Sequence, residues 1–128
     1  MKKSSLITIT AMAAVAVLGL SGCAADSAPA GSTRACVILP DADSGTRWEA
    51  GDRPALEAGL TDAGFEADIQ NAQSDASKYS TIADSMLTKG CGVMVLVDYQ
   101  GAGIAVAEKA KAAGVPVIAY DRPITGAD

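Results

Sequence analysis

The sequence predicts an α/β fold, in which a parallel sheet carries helices on both faces. Two observations predict it: short apolar runs alternate along the chain with stretches of helical periodicity, and the connections between them are short. The resulting order is β-α-β-α-β-α-β. Parallel neighbours need right-handed crossovers, so each helix must cross a face of the sheet. In such sheets a ligand binds at the carboxyl ends of the strands, near the point where strand order reverses.

The first half of the predicted domain runs from a buried strand to an alternating one. Residues 36–39 form a continuous apolar run before Pro40, as is typical of a strand buried on both faces. Apolar residues at helical spacings predict a helix between residues 47 and 63, which Gly64 ends. Its start stays open, because Pro54 belongs in a first turn or at a kink. Residues 65–69 form the second, weaker strand.

The second half repeats the same alternation twice. Ser74 or Asp75 can cap a second helix, which ends at Gly90. Its predicted inward face consists of Tyr79, Ile82, Ala83 and Met86. Residues 93–97 form the third strand, residues 103–113 the third helix, and residues 115–120 the fourth strand.

The N-terminal segment has the pattern of an export signal. Lys2 and Lys3 precede a short apolar run, and residues 20–23, Leu-Ser-Gly-Cys, resemble a bacterial lipobox. That resemblance implies that Cys23 carries a lipid, with acyl chains such as palmitate, and becomes the mature N-terminus. We therefore expect a signal peptide over residues 1–22 and a flexible tether over residues 23–34 that is rich in small and polar residues. The expected location is the extracytoplasmic face of the cell membrane.

Two alternatives to the lipid anchor stay open. The segment could be a plain secretory signal with a chance cysteine, or a transmembrane helix. The apolar run over residues 6–18 is short for the second alternative, since a membrane-spanning helix needs about 20 apolar residues.

The composition of the chain after the expected signal peptide argues against several classes of function. Without Lys2 and Lys3, 8 of the 10 basic residues remain against 15 acidic ones, a net charge of −7. The chain has no histidine, which argues against His-based metal sites and the common acid–base and nucleophile arrangements. We therefore expect no His-based metal or catalytic site, and the negative charge argues against a nucleic-acid partner.

Polar and aromatic side chains crowd the predicted carboxyl ends of the strands. They are Asp41, Arg47 and Trp48 after the first strand, Asn71 after the second, Asp98 and Tyr99 after the third, and Asp121 and Arg122 after the fourth. A sugar needs this combination, because its hydroxyls require paired donors and acceptors while its C–H faces stack on aromatic rings. Asp121 and Arg122 could instead form a surface ion pair or a helix cap, and a lone Trp48 could belong to the core.

Several segments together resemble the N-terminal lobe of type 1 periplasmic sugar-binding proteins. They are GVPVIAYDR at 114–122, DASKY at 75–79, MLTKG at 86–90 and VMVLV at 93–97. The segments LPD at 39–41, TRWE at 46–49 and DRP at 52–54 narrow the resemblance to the xylose-type substrate-binding components of ABC transporters. It implies that Asp121 and Arg122 hydrogen-bond a monosaccharide and that Arg47 and Trp48 contribute. Asp41, Asn71, Asp98 and Tyr99 are further candidates.

The same resemblance implies a partner and an incomplete domain. The expected function is capture of a monosaccharide, a pentose such as xylose, for an ABC permease. This function implies no enzyme activity, no catalytic residue, no metal and no cofactor. Members of the family close two lobes around the sugar, whereas this sequence stops at Asp128, just after the fourth strand. We therefore expect residues 35–128 to be a truncated N-terminal lobe that binds weakly without the second lobe.

A different class of function is an enzyme or nucleotide-binding domain on a flavodoxin-like sheet. That function would place a glycine-rich phosphate loop after the first strand. Residues 41–46 carry one glycine and two carboxylates, which would repel phosphate. A third possibility, the sensor lobe of a sugar-responsive repressor, is contradicted by the export signal.

One of the three cysteines is expected to carry a lipid, which leaves two that can form a disulfide. If Cys23 is lipidated, Cys36 and Cys91 remain as a pair in an oxidising compartment. They begin the first and third strands, which are neighbours in the usual order of such sheets, about 4.8 Å apart. We predict a disulfide between them, and two buried free thiols remain the alternative.

Overall fold

A computed structural model of the chain describes residues 31–41 and 47–128. The strands are β1 (Arg34–Leu39), β2 (Glu66–Asn71), β3 (Val93–Leu96) and β4 (Val117–Ala119). A π-helical turn over Arg47–Asp52 leads directly into α1 (Arg53–Asp62), and α2 (Ala76–Lys89) and α3 (Ala102–Ala112) follow. The predicted β-α-β-α-β-α-β order is confirmed, with the π-helical turn as an addition.

The four strands are parallel and lie in the order β2-β1-β3-β4. The chain moves from β1 to β2 on one side and then returns to place β3 on the other side of β1. Strand order therefore reverses between β1 and β3. Their carboxyl ends form the crevice where open α/β sheets bind ligands.

Alternating residues of β1 supply two separate cores, one on each face of the sheet. Cys36 and Ile38 belong to the larger core, which contains the buried faces of α2 and α3. Val37 and Leu39 belong to the smaller core on the opposite face, against which Leu56 and Leu60 of α1 pack. Helices thus cover both faces, as predicted. In α2 the four predicted inward residues are the buried ones.

The structure settles two boundaries that the sequence left open and shortens one predicted strand, each for a local reason. The helix predicted from residue 47 starts with the π-helical turn, and Pro54 lies in the first turn of α1, where its missing N–H costs nothing. Of the two possible caps of α2, Asp75 is the one whose carboxylate accepts from the backbone N–H groups of Ser77 and Lys78. The fourth strand is shorter than predicted because Pro116 cannot donate to a ladder and Asp121 leaves the extended conformation with a φ of 65°.

Cys36 and Cys91 are joined by a disulfide in the larger core, with their Cα atoms 5.9 Å apart. The pair is the one predicted. The expected signal peptide, the lipidated Cys23 and most of the tether lie outside the described residues. Within residues 31–41 and 47–128, no helix combines the length and apolar character that crossing a membrane requires.

Candidate functional site

Arg47, Trp48, Asp121 and Arg122 come together at the carboxyl edge of the sheet. Nη2 of Arg47 donates to Oδ1 of Asp121 at 2.7 Å. The guanidinium carbon of Arg47 lies 4.3 Å from the centre of the Trp48 ring, and that of Arg122 lies 5.7 Å from it. Both cations are therefore within cation–π range of one indole. We call these four residues the charged cluster.

The ends of three strands position the charged cluster. Arg47 and Trp48 lie in the π-helical turn that follows β1. Asp121 follows β4, and its φ of 65° is a left-handed conformation that aspartate tolerates better than most residues. Arg122 reaches across to the end of β3, where its Nη1 donates to the backbone carbonyl of Asp98 at 2.7 Å. The cluster therefore spans the crevice beside the strand-order reversal.

Trp48 belongs to the smaller core, as one of the alternatives from the sequence held. Its side chain is 2% exposed and packs in the cluster that contains Val37 and Val97. The ring supports the two arginines in this arrangement, so a sugar could stack on it only after an arginine moved. The indole thus contributes a rigid base beneath the exposed charges.

The other predicted site residues have contacts of their own. Asp98 caps α3, since its carboxylate accepts from the backbone N–H groups of Gly101 and Gly103 at 2.9 and 2.8 Å. Asn71, at the end of β2, donates to Glu49 at 2.7 Å, away from the charged cluster. The hydroxyl of Tyr99 accepts from the neighbouring Gln100 at 3.2 Å. Asp41 is buried at the end of β1, at 8% exposure.

Asp52 and Tyr120 extend the hydrogen bonds of the charged cluster into a network, and neither was among the predicted site residues. Oδ2 of Asp52 accepts from Nε of Arg47 at 3.1 Å, and its Oδ1 accepts from the Tyr120 hydroxyl at 2.6 Å. The sequence offers one weak signal for each: Asp52 lies five residues after Arg47, which only a π-helical turn would align, and Tyr120 directly precedes Asp121.

The hydrogen bonds fix the charge states of the network. The Tyr120 hydroxyl and, more weakly, the Arg47 guanidinium hold the pKa of Asp52 below its ordinary value despite partial burial. The bond to Asp52 raises the pKa of Tyr120. Bonds to Asp121 and then to Asp52 raise the pKa of Arg47. Asp52 is therefore an anion, Tyr120 neutral and Arg47 a cation at neutral pH.

The charged cluster suits binding of a neutral polyol. Its exposed groups are guanidinium donors and a carboxylate acceptor, the pairs that form charge-assisted bonds with sugar hydroxyls. The side chains of Arg47, Arg122 and Asp121 are 52%, 40% and 26% exposed, so a solute can reach them. Within the described part of the chain, no group of three or more Cys, Asp or Glu residues is arranged to hold a metal ion.

Comparison with known proteins supplies a family. The family model described as "Periplasmic binding protein domain" matches residues 36–128. The "Multiple sugar-binding periplasmic receptor ChvE" of Rhizobium radiobacter is 34% identical over 123 residues, which cover 94% of this chain and 33% of that receptor. The "D-xylose-binding periplasmic protein" of Escherichia coli K12 is 30% identical over 83 residues, 64% of this chain and 25% of that protein. The chain thus spans a third or less of these curated relatives.

Solved structures agree in fold. A carbohydrate transporter solute-binding protein from Chloroflexus aurantiacus, in complex with D-glucose, matches with a TM-score of 0.64 at 32% identity, over 73% of this chain and 28% of that one. An ABC transporter solute-binding protein from Clostridium phytofermentans with bound β-D-glucose matches with a TM-score of 0.64 at 33% identity, over 73% and 29% of the two chains.

Proposed function

Because this chain belongs to the family of periplasmic binding protein domains, we propose that it forms the N-terminal lobe of an extracytoplasmic receptor that captures a monosaccharide for an ABC permease. The observation that carries the proposal is the charged cluster at the carboxyl edge of the sheet, where α/β folds bind ligands. Relatives named for sugar binding support it, and they also support a binding role without catalysis.

In the proposed site Asp121 and Arg122 bind adjacent sugar hydroxyls. Asp121 already accepts from Arg47, and a sugar hydroxyl can join that pair by accepting from the guanidinium and donating to the carboxylate. Arg122 is bonded to the carbonyl of Asp98 through Nη1 and forms an ion pair with Asp121 through Nε at 3.7 Å, so the N–H groups of Nη2 can serve the ligand. Trp48 keeps both arginines in place from below. Asp41, Asn71 and Tyr99 remain candidates at the same edge of the sheet.

We propose that the preferred ligand is a pentose such as xylose. The resemblance of the loop after β1 to the xylose-type proteins supports this preference, as does the D-xylose-binding relative. The glucose-bound structures make D-glucose the natural competitor for a test.

We further propose that tight binding requires a second lobe. One lobe forms only part of a cleft, whereas small-molecule sites bury most of the ligand surface. The curated relatives are three to four times as long as the part that matches this chain, which leaves room for such a lobe.

Residues 1–22 are proposed as the signal peptide and Cys23 as the lipid anchor of the receptor.

A chimera tests the proposed function. Residues 36–128 replace the segment of the ChvE receptor that aligns with them, and calorimetry measures the affinity for D-xylose and D-glucose. Asp121→Asn or Arg122→Met should weaken binding by about ten- to a hundredfold, because a lost charged hydrogen bond costs about 1.5–3 kcal/mol.

Asp62→Asn is the matched control. It removes one negative charge from the exposed end of α1, outside the charged cluster, and should leave affinity unchanged. Unchanged affinity in both Asp121→Asn and Arg122→Met would remove the site assignment. Stronger binding of D-glucose than of D-xylose would remove the pentose preference alone, and tight binding by the 128-residue chain would remove the need for a second lobe.

A further inference from the structure

The guanidinium of Arg47 is bonded to a second carboxylate, Asp52, which is largely buried. Asp52 accepts from Nε of Arg47 at 3.1 Å and from the Tyr120 hydroxyl at 2.6 Å, and its side chain is only 10% exposed. We propose that Asp52, fixed by Tyr120, is a positioning residue that sets Arg47 above Trp48 and against Asp121. The inference rests on the proposed sugar-binding function and names two further residues that the site needs.

The π-helical turn makes this arrangement possible. In an α-helix, residues three and four apart share a face, so residues five apart diverge. The wider π-helical turn over Arg47–Asp52 bonds at a spacing of five and brings its first and last side chains together. The same turn also leaves Trp48 buried beneath Arg47.

The division of donors on Arg47 fits a positioning role. Arginine carries five N–H donors in a planar fork. Asp52 takes Nε on one edge, and Asp121 takes one N–H of Nη2 near the other end. The remaining donors belong to a guanidinium whose plane is already fixed by two carboxylates and one indole ring. A ligand therefore meets an ordered arginine and avoids the entropy cost of ordering a side chain that is 52% exposed.

Tyr120 fixes Asp52 from a different element. It follows β4 directly and precedes Asp121, so one short segment supplies both a ligand-facing carboxylate and the hydroxyl that anchors Asp52. The Tyr120 side chain also packs against the smaller core that contains Trp48. Movement of the β4 end would thus shift Arg47 through two routes at once.

Trp48 is the single tryptophan of the chain, and its emission therefore reports on the charged cluster directly. The full chain is purified in detergent micelles, and Trp48 fluorescence is measured without sugar in wild type, Asp52→Asn, Arg47→Met and the double variant. Asp52→Asn should change the emission, because the released guanidinium leaves the ring. The same change made in the Arg47→Met background should leave the emission of that background unaltered.

Asp62→Asn is the control for the fluorescence measurement and should not alter Trp48 emission. An equal change on Asp52→Asn in both backgrounds, or no change in either, would overturn the proposal, because Asp52 would then not act through Arg47. Should Asp52→Asn fail to fold, Tyr120→Phe replaces it. Tyr120→Phe keeps the carboxylate and should give a smaller change that again vanishes with Arg47→Met.

Measurements of sugar affinity distinguish a failure of this inference from a failure of the proposed function. In the chimera, Asp52→Asn should weaken binding by about three- to tenfold, as expected for loss of one supporting bond. A chimera that binds no sugar would contradict the proposed function alone, since the fluorescence coupling needs no ligand. A chimera weakened by Arg47→Met but not by Asp52→Asn would contradict the positioning role alone.

Discussion

At the scale of single residues, Glu49 connects three parts of the fold. Its carboxylate accepts from the Arg53 guanidinium at the start of α1 and from Asn71 at the end of β2. Arg53 in turn donates to the carbonyl of Ile69 at 2.7 Å. These bonds join the π-helical turn to the outer strand β2, beside the charged cluster but separate from it.

Glu49 should make the stability of the protein depend on pH. The bond from Arg53 lowers its pKa most, and the bond from Asn71 lowers it further. A carboxyl with a lowered pKa in the folded state contributes stability that is present above its ordinary pKa, about 4.3, and is lost as the pH falls through the folded-state value. Glu49→Gln should therefore lower the free energy of unfolding at neutral pH and reduce its loss on acidification. Urea unfolding at several pH values checks this.

The matched control for that measurement is Glu108→Gln on the exposed face of α3. It removes the same charge without touching the Glu49 bonds and should leave the pH dependence close to wild type. Parallel pH profiles of wild type and Glu49→Gln would contradict the role given to Glu49.

The site residues show which kinds of information the sequence carries. The position of Asp121 and Arg122 at the carboxyl edge of the sheet could be predicted, because strand ends follow from apolar runs, whereas their binding of a ligand stays a prediction. Asp98 could not be told apart from them, since a carboxylate after a strand can equally cap the next helix, as it does here. Asp52 was missed because its contact to Arg47 depends on a π-helical turn, and helical periodicity of 3.6 places residues five apart on different faces.

At the scale of elements, β1 and β3 are locked together where they begin. Gly92 precedes β3, and its backbone N–H donates to the carbonyl of Arg34 at 2.8 Å. A Cβ added at Gly92 would lie 2.0 Å from the backbone oxygen of Ser32. Neither group can move without shifting the start of a strand, so this position requires glycine for space alone.

Gly92→Ala should destabilise the protein by about 1–3 kcal/mol, as overpacking of a well-packed region does. The control is Gly59→Ala in α1, where nothing lies within 4 Å of the added Cβ. That substitution should stabilise by up to about 1 kcal/mol through helix propensity. Urea unfolding of both variants measures the two effects, and a Gly92→Ala protein as stable as wild type would contradict the close approach.

Element order was predictable because each element carries its own signal. Apolar runs indicated the strands, and glycines after periodic stretches indicated the helix ends. The π-helical turn carries no such signal, since its pattern of Trp48 followed by Leu56 and Leu60 also fits a longer α-helix. The length of β4 depended on which backbone groups find partners, a property of the assembled sheet.

At the scale of the whole molecule, the disulfide ties the first strand to the third across 55 residues. A bond that closes a loop of this length restricts the unfolded chain, and native disulfides of small secreted domains typically contribute about 2–5 kcal/mol. Replacing both Cys36 and Cys91 by Ala should therefore lower the stability of the exported protein strongly. Alkylation before and after reduction, read by mass spectrometry, should find both thiols blocked before reduction. Two free thiols in non-reduced exported protein would refute the bond.

The last prediction concerns attachment of the whole molecule to a membrane. The Leu-Ser-Gly-Cys sequence at 20–23, behind Lys2 and Lys3, predicts that Cys23 is acylated. One acyl chain gives only marginal binding, whereas two or more anchor a protein stably, so lipid on Cys23 would hold the domain without a membrane-spanning helix. The full chain, expressed in bacteria with radiolabelled fatty acid, should carry the label and sediment with membranes, and Cys23→Ala should lose both.

Replacing Cys36 and Cys91 together by Ala is the control that should keep the label, because it removes cysteines but not the one in the lipobox. Label and membrane binding that persist in Cys23→Ala would overturn the anchor, and membrane binding without label would favour a retained transmembrane segment instead.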